Sequence, residues 1–166
     1  CMHYCATAVI EAHGPRAVRE AIAQGKHLST LAFSEAGSRS HFWAPVSTAT
    51  PAGDGFTLDA AKSWITSAGE ADSYVWSSQP AAAEGPSTIW LVDAKAAGLG
   101  EVLAFDGLGL RGNASSPLRA AGVRVGAADM LGPDGGGFDV MMGVVLPYFC
   151  LMNAACGVGT MEACTT

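Results

Sequence analysis

One stretch of the chain places an aromatic side chain and a hydroxyl at a spacing that could hold a planar ligand. Residues 61–72 read A-K-S-W-I-T-S-A-G-E-A-D, so Trp64 and Thr66 lie two positions apart. On a β-strand, side chains two positions apart point to the same face. That face would offer an aromatic plane and a hydroxyl donor to a heterocycle. Taken alone, the pattern is more typical of a core tryptophan beside a surface threonine.

A second stretch could supply polar contacts to the same kind of ligand. Residues 31–40 read L-A-F-S-E-A-G-S-R-S, a strand-like segment followed by a turn of small residues. Such a turn exposes consecutive backbone N–H groups, which suit the oxygens of a heterocycle or of a phosphate. The alternative is an ordinary Ser/Gly turn without a ligand.

Other motifs do not indicate a self-contained active site. Residues 107–112 match G-x-G-x-x-G, but the following N-A-S-S-P is a poor helix start, so we reject a dinucleotide fingerprint. The four histidines are scattered, and we expect no metal site because no Cys/His cluster has zinc-ligand spacing. We assign no catalytic residue.

The composition limits the classes of partner. Lys and Arg number 9 against 15 Asp and Glu, a net charge of −6, and no basic stripe indicates nucleic-acid binding. Charged residues make up 14% of the chain, below the roughly 25% of soluble domains. We therefore expect part of the surface to be covered by a partner subunit, another domain or a large ligand.

The cysteines indicate a reducing compartment. Five of them lie near the two ends of the chain, and no signal peptide is visible. This pattern predicts a cytoplasmic protein with buried free thiols on helices. A disulfide joining the two terminal segments is the alternative.

The elements that must position these residues form a helix–sheet–helix layout. Two short helices are predicted over residues 1–12 and 16–24, and a long one over 138–164 with a weak point at Pro147. Turn signals between them separate short strands at residues 28–34, 44–50, 55–65, 73–78, 88–93, 118–125 and near Met130. We therefore predict an α+β fold, with an antiparallel β-barrel or sandwich flanked by short N-terminal helices and a long C-terminal helix.

The final helix also bears on membrane association. Residues 138–158 come closest to a membrane span, but Asp139, Pro147 and Asn153 interrupt them. We predict no membrane span and a helix buried between other helices.

Taken in order, these motifs resemble the acyl-CoA dehydrogenase family. The turn at residues 34–41 is similar to the family's T-E-P-G-A-G-S-D, and residues 61–72 to its G-x-K-x-W-I-T-N-A-x-x-A-D. Residues 109–118 are similar to its G-L-R-G-S-x-T-x-x-L, 123–132 to its V-x-V-P-x-x-x-x-L-G, and 136–138 to its G-x-G-F. The W-I-T-x-A-x-x-A-D block is the most specific of these.

The resemblance implies three parts of a longer chain. Residues 1–26 would end an N-terminal helical domain, 27–133 would form the middle β-domain, and 134–166 would begin a C-terminal helical domain. We expect a fragment, since the last helix stops at Thr166 without a C-cap. The family's assembly through its C-terminal helices implies a homo-oligomer for the full-length protein.

The resemblance also implies FAD as cofactor and acyl-CoA or another acyl thioester as substrate. Phe33 and Ser34 would lie along the flavin ring, and Ser34 would donate a hydrogen bond to it. Trp64 would stack near the ring edge, and Thr66 would bond near N5. Ser40 would lie on the acyl-thioester side of the site. The reaction would be α,β-dehydrogenation with hydride transfer to flavin, the electron acceptor being open.

Departures from the family pattern keep alternatives open. Arg39 replaces a glycine, His41 replaces an aspartate, and residues 144–148 lack the family's Asp and Arg. A flavin-dependent monooxygenase or oxidase on the same scaffold is therefore the second hypothesis. A binding or structural module without activity of its own is the third.

Overall fold

A computed structural model describes residues 1–39 and 41–165. The chain opens with helices α1 (Met2–His13) and α2 (Arg16–Ala23). Gly14 separates them, and its N–H bonds Ile10 O at 2.7 Å. A Cβ on Gly14 would lie 2.7 Å from that same oxygen, so the tight turn requires glycine. One face of α1 is buried, and it carries Cys5, Ala6, Val9 and Ile10.

In the described part of the chain, six strands form two three-stranded sheets. In chain order they are β1 (Ser29–Ala32), β2 (Thr48–Ala52), β3 (Gly55–Ile65), β4 (Ser73–Ser78), β5 (Thr88–Asp93) and β6 (Ser116–Gly126). One sheet has the order β1-β4-β5 and the other β2-β3-β6. All pairs are antiparallel except β1 with β4, which is parallel.

The β1-β4-β5 sheet separates two hydrophobic cores. Every residue of β4 is buried, and alternate side chains face opposite sides as strand geometry requires. Tyr74 and Trp76 pack in the core that also contains Leu58 and Val123 of the other sheet. Val75 packs in the core shared with helix α1 and the final helix. The molecule is therefore a sheet–sheet–helix stack.

The predicted fold class is confirmed as a sandwich, with two corrections. Within the described residues the sheets do not close into a barrel, and the β1–β4 pair is parallel. Parallel neighbours need a long connection, and the β2–β3 hairpin lies within it. The strand predicted at residues 44–50 is displaced to β2, because Val46 N and Ser47 N donate to the Glu35 carboxylate. The predicted bounds of β3, β4 and β5 are confirmed.

The final helix is continuous but changes its winding. Helix α3 (Gly137–Val140) runs into a π-helical turn at Met141–Val145 and then into α4 (Leu146–Thr165). Leu146 N donates to Met141 O, five residues back. Pro147 follows and has no backbone N–H, so it cannot donate the next α-helical hydrogen bond. The wider π-helical turn accommodates this proline, which the sequence analysis predicted as a weak point of the helix.

The prediction that this helix is buried between other helices is wrong for α4. None of its residues is buried, and Leu151, Val158 and Met161 are exposed. Among the described helices, the stretch Gly137–Thr165 is long and apolar enough to cross a membrane, with a mean hydropathy of 1.7. That criterion uses length and composition only, and core helices of soluble proteins also meet it.

The cysteines are all free thiols, so the structure does not contain the alternative disulfide. Only Cys5 is buried, and burial raises the pKa of its thiol. The prediction of buried thiols is therefore wrong for Cys1, Cys150, Cys156 and Cys164, which are exposed.

Candidate functional site

A cleft opens where β1 and β3 end beside the last helix. Its volume is about 200 Å³, less than the roughly 300–1,000 Å³ of complete small-molecule sites. It therefore has the size of part of a site. The described residues that line it are Met2, Leu31, Phe33, Ser34, Phe42, Ser63, Trp64, Ile65, Thr66, Val145, Leu146 and Phe149.

The two sequence motifs meet at this cleft through backbone hydrogen bonds. Ser63 N donates to Ser34 O at 3.0 Å, and Ala36 N donates to Ala61 O at 3.1 Å. This short antiparallel pairing places the predicted residues Phe33, Ser34, Trp64 and Thr66 on one cavity. Ser40, the remaining predicted residue, lies outside the described residues.

Trp64 reaches the cleft through a β-bulge, and the same-face argument from strand alternation is wrong. The β3–β6 register shifts by one residue between Lys62↔Leu118 and Ile65↔Ser116. The bulge lies opposite Pro117, which has no N–H to donate to the ladder. Trp64 has a left-handed φ of 56° and Thr66 lies beyond the strand end.

The bulge leaves Trp64 open to a ligand. Its side chain is 65% exposed, and its ring meets Phe105 edge-on with 6.1 Å between centroids. An exposed indole beside a cleft offers a face for stacking, which is where aromatic ligands gain binding energy.

The polar groups of the cleft suit an uncharged, hydrogen-bonding heterocycle. Ser34 is exposed and Thr66 half-buried, and within residues 1–39 and 41–165 neither hydroxyl makes a hydrogen bond. Phe33, by contrast, is 6% exposed and packs in the core next to α1. The chain thus provides an apolar floor, one indole and two available hydroxyls, an arrangement that fits one face of a flavin ring.

A buried ion pair lies behind the cleft, and the sequence analysis did not find it. Lys62 Nζ bonds Glu35 Oε1, and both side chains are fully buried. Lys62 also donates to Ser77 O at 2.7 Å and to Ser77 Oγ at 3.0 Å. The sequence did carry a signal, because Glu35 and Lys62 lie inside the two motifs and match the Glu and the Lys of the family patterns.

Burial and pairing set the protonation of this pair. Burial lowers the pKa of Lys62 to about 8, although Glu35 opposes that shift. For Glu35, burial alone would raise the pKa. Lys62 and the hydrogen bonds from Ser47 and Val46 outweigh burial and lower it. The pair is therefore charged at neutral pH.

The segment with the G-x-G-x-x-G spacing also contacts this site. It forms a loop ending in a 3-10 turn at Arg111–Asn113, with no helix after a strand, so rejection of the dinucleotide fingerprint is confirmed. Ser67 N donates to Asn113 O at 2.8 Å and Ala68 N to Ala114 O at 3.3 Å. The loop therefore supports the chain just beyond Thr66.

The described residues form a β-sandwich domain with a cleft beside its last helix. The sequence model of the acyl-CoA dehydrogenase middle domain matches residues 30–123, more than half of the chain. The chain belongs to the acyl-CoA dehydrogenase family. A search of curated proteins gave no match.

Solved structures share this fold. Glutaryl-coenzyme A dehydrogenase in its glutaryl-CoA complex is 24% identical with a TM-score of 0.87, over 98% of this chain and 43% of that one. A probable acyl-CoA dehydrogenase from Mycobacterium abscessus is 26% identical with a TM-score of 0.76, over 84% of this chain and 39% of that one. PigA in complex with FAD is 22% identical with a TM-score of 0.73, over 86% of this chain and 39% of that one. The chain thus spans about two fifths of the structures it matches.

Proposed function

We propose that this chain supplies the flavin-facing wall of an FAD-dependent oxidoreductase that dehydrogenates an acyl thioester between its α- and β-carbons. The observation that carries the proposal is the convergence of Ser34, Trp64 and Thr66 on one cleft. Membership of the acyl-CoA dehydrogenase family supports the reaction class. FAD, when bound, would accept the hydride.

The residues of the chain would bind and orient the cofactor. Trp64 would stack at the edge of the ring, Ser34 would donate to a ring oxygen, and Thr66 would donate near N5. Phe33 would line the floor beneath the ring. Ser40 is proposed to face the acyl thioester. No base is assigned to this chain, because no acidic side chain lines the described part of the cleft.

The remaining assignments follow from the same family. We propose residues 1–26, 27–133 and 134–166 as the end of a helical domain, the β-domain and the start of a second helical domain. A cytoplasmic homo-oligomer and an acyl-CoA or related acyl thioester substrate belong to the same proposal. Alone, the chain is proposed to be inactive.

The second candidate is a flavin-dependent monooxygenase or oxidase on the same scaffold. Arg39 and His41 replace the glycine and aspartate of the family's turn, and residues 144–148 lack its Asp and Arg. These changes fall around the cleft, where Phe42 and Val145 are lining residues.

Anaerobic reduction of the FAD-loaded full-length protein separates the two functions. A dehydrogenase is expected to lose its oxidised-flavin absorbance when an acyl-CoA is added, and to consume no oxygen when air is admitted with an artificial electron acceptor. Stoichiometric oxygen uptake would support the oxidase or monooxygenase instead. Absence of any flavin reduction by acyl thioesters would contradict the proposed reaction.

A further inference from the structure

Two short backbone segments set the shape of the cleft, and only a short pairing joins them to each other. Ser34 lies two residues beyond the end of β1, and Trp64 lies in a bulge at the end of β3. They meet through the Ser63 N to Ser34 O and Ala36 N to Ala61 O bonds. Two isolated hydrogen bonds open easily unless neighbouring interactions keep the segments together.

The Glu35–Lys62 ion pair is placed to do this. Glu35 follows Ser34 directly, and Lys62 precedes the bulge by one residue, so the pair joins the two segments between the same two hydrogen bonds. Both side chains are fully buried on the side away from the cleft lining. A shift of either one would move Ser34 or Trp64 with it.

The carboxylate of Glu35 extends the connection to a third segment. Oε2 accepts from Val46 N at 2.5 Å and Ser47 N at 3.0 Å, and Oε1 accepts from the Ser47 hydroxyl as well as from Lys62. The loop that carries the cleft residue Phe42 is thereby fixed to the turn after Ser34.

Lys62 extends the connection to the central sheet. Its three donors are used by Glu35 Oε1, Ser77 O and Ser77 Oγ, and its ammonium lies 5.0 Å from the centroid of the Trp76 ring. Ser77 belongs to β4, a strand in which every residue is buried. The pair is therefore anchored to the rigid part of the molecule.

We propose that Glu35 and Lys62 are positioning residues, which hold Ser34, the Trp64 bulge and the Phe42 loop in the arrangement that binds the flavin ring. Their role is distinct from adding stability. Exchanging both members of a buried ion pair for neutral residues is often neutral or stabilising, whereas removing one member is costly. The inference rests on the proposed flavin site for its functional meaning, but its geometric claim can be measured without flavin.

The experiment compares Glu35→Gln, Lys62→Met and the double variant with the unaltered chain. Gln at position 35 has one acceptor oxygen, so it cannot accept hydrogen bonds both from Lys62 and from the N–H groups of Val46 and Ser47. Met at position 62 has no hydrogen-bond donor. Global stability comes from urea unfolding. Native-state hydrogen exchange of Ser63 N–H and Ala36 N–H reports the two bonds between the segments.

We expect both single variants to be less stable and the double variant to recover most of that loss. In the double variant the Ser63 and Ala36 amides should still exchange about tenfold faster than in the unaltered chain. This factor corresponds to the loss of roughly one hydrogen bond. Amides of the β4–β5 ladder should keep their protection. Asp134→Asn, which weakens the hydrogen bonds from residues 81–83 and Thr88, is the control, because it lowers stability through contacts that involve neither cleft segment.

A milder variant keeps the test decisive if the double variant does not fold. Ser47→Ala removes one hydrogen bond to Glu35 and leaves the ion pair intact, and it should raise exchange at Ser63 and Ala36 by a smaller factor. Unchanged protection of these amides in the folded double variant, or in Ser47→Ala when the double variant is unfolded, would overturn the inference. FAD titration of the unaltered chain tests the proposed function separately, so the two can fail independently.

Discussion

Backbone strain reaches the cleft at Trp64. The described non-glycine residues with positive φ are Arg39, Trp64, Ser67, Leu110 and Ala114, and of these Trp64 lines the cleft. A left-handed conformation costs roughly 1–2 kcal/mol for an L-residue. Strain of this kind persists where the surrounding structure enforces it, and it is common at binding sites.

Trp64 is the residue whose removal tests ligand stacking with little effect on the fold. Because its side chain is 65% exposed, Trp64→Ala should change the free energy of unfolding only slightly. Losing one aromatic contact of about 0.5–1.5 kcal/mol should weaken FAD binding by roughly two- to tenfold.

Titration with FAD, followed by chemical shifts or flavin fluorescence, measures this effect. Trp64→Phe is the matched control, since it keeps an aromatic face and should retain most of the affinity. Equal affinities for the Ala variant and the unaltered chain would remove Trp64 from the site.

Asp134 makes a contribution to the free energy of unfolding that depends on pH. It accepts hydrogen bonds from the backbone N–H groups of residues 81–83 and from the Thr88 hydroxyl. Burial alone would raise the pKa of Asp134, but these bonds outweigh it and lower the pKa to about 2 from 3.8. Because the folded-state pKa is the lower one, this stabilisation is full above the unfolded pKa and is lost as the pH falls through about 2.

Asp134→Asn should therefore lower the free energy of unfolding by about 1–2 kcal/mol near neutral pH, as expected for hydrogen bonds to a charged group. The difference should shrink as the pH falls from about 4 towards 2. Urea unfolding across this range measures it, and Asp139→Asn is the control, because Asp139 is exposed on α3. A difference that does not change with pH would show that the charge is not responsible.

At the scale of elements, the sequence predicted the strands that turn residues delimit. Gly53 and Asp54 separate β2 from β3, and the loops around β4 and β5 are rich in glycine and proline, so those bounds follow from local chemistry. The displacement of β2 could not be predicted in the same way. It depends on the hydrogen bonds that Val46 N and Ser47 N donate to the Glu35 carboxylate, and only the folded protein brings these residues together.

The bulge at Trp64 also depends on a contact between segments that are distant in the sequence. The sequence showed Pro117, but its place opposite residues 63–64 depends on the β3–β6 register. The sequence therefore predicted which residues meet at the cleft, through the resemblance, but gave the wrong reason for the orientation of Trp64. The Glu35–Lys62 pair was missed because its partners are 27 residues apart and only tertiary structure brings them into contact.

Pro147 tests why the last helix widens. With an N–H at this position, the regular α-helical ladder could continue through residues 141–145. Pro147→Ala should therefore replace the π-helical turn with α-helix and rotate α4 relative to α3.

This rotation would displace Leu146 and Phe149 from the cleft, where both are lining residues. A crystal structure or backbone chemical shifts of the variant would reveal it. Leu151→Ala, also on α4 but exposed, is the control and should leave the turn unchanged. A π-helical turn that survives in Pro147→Ala would show that packing against α1, and not the proline, causes it.

At the scale of the whole molecule, a low charge content accompanies an exposed, apolar α4. The chain spans about two fifths of the structures it matches, and Leu151, Val158 and Met161 form apolar surface on α4. Exposed apolar surface of this kind is typical of sites that contact another protein surface or a membrane. A cleft of about 200 Å³ in the same chain accordingly has the size of one wall of a site.

The partial cleft implies weak binding, since most of a flavin would stay in contact with water. We expect FAD to be lost from the 166-residue chain during gel filtration and to bind only in fast exchange. Flavin that co-elutes in stoichiometric amount would contradict the partial-site proposal and indicate a complete site within this chain.

The most direct test of the flavin-facing wall is a chemical-shift titration of the isotope-labelled chain with FAD. The account predicts saturable shifts confined to the amides of Phe33, Ser34 and the Trp64–Thr66 segment and to the Trp64 indole N–H, with Trp76 and Trp90 unchanged because they are buried. Saturable shifts that map elsewhere on the sandwich, or no shifts at near-millimolar FAD, would contradict it.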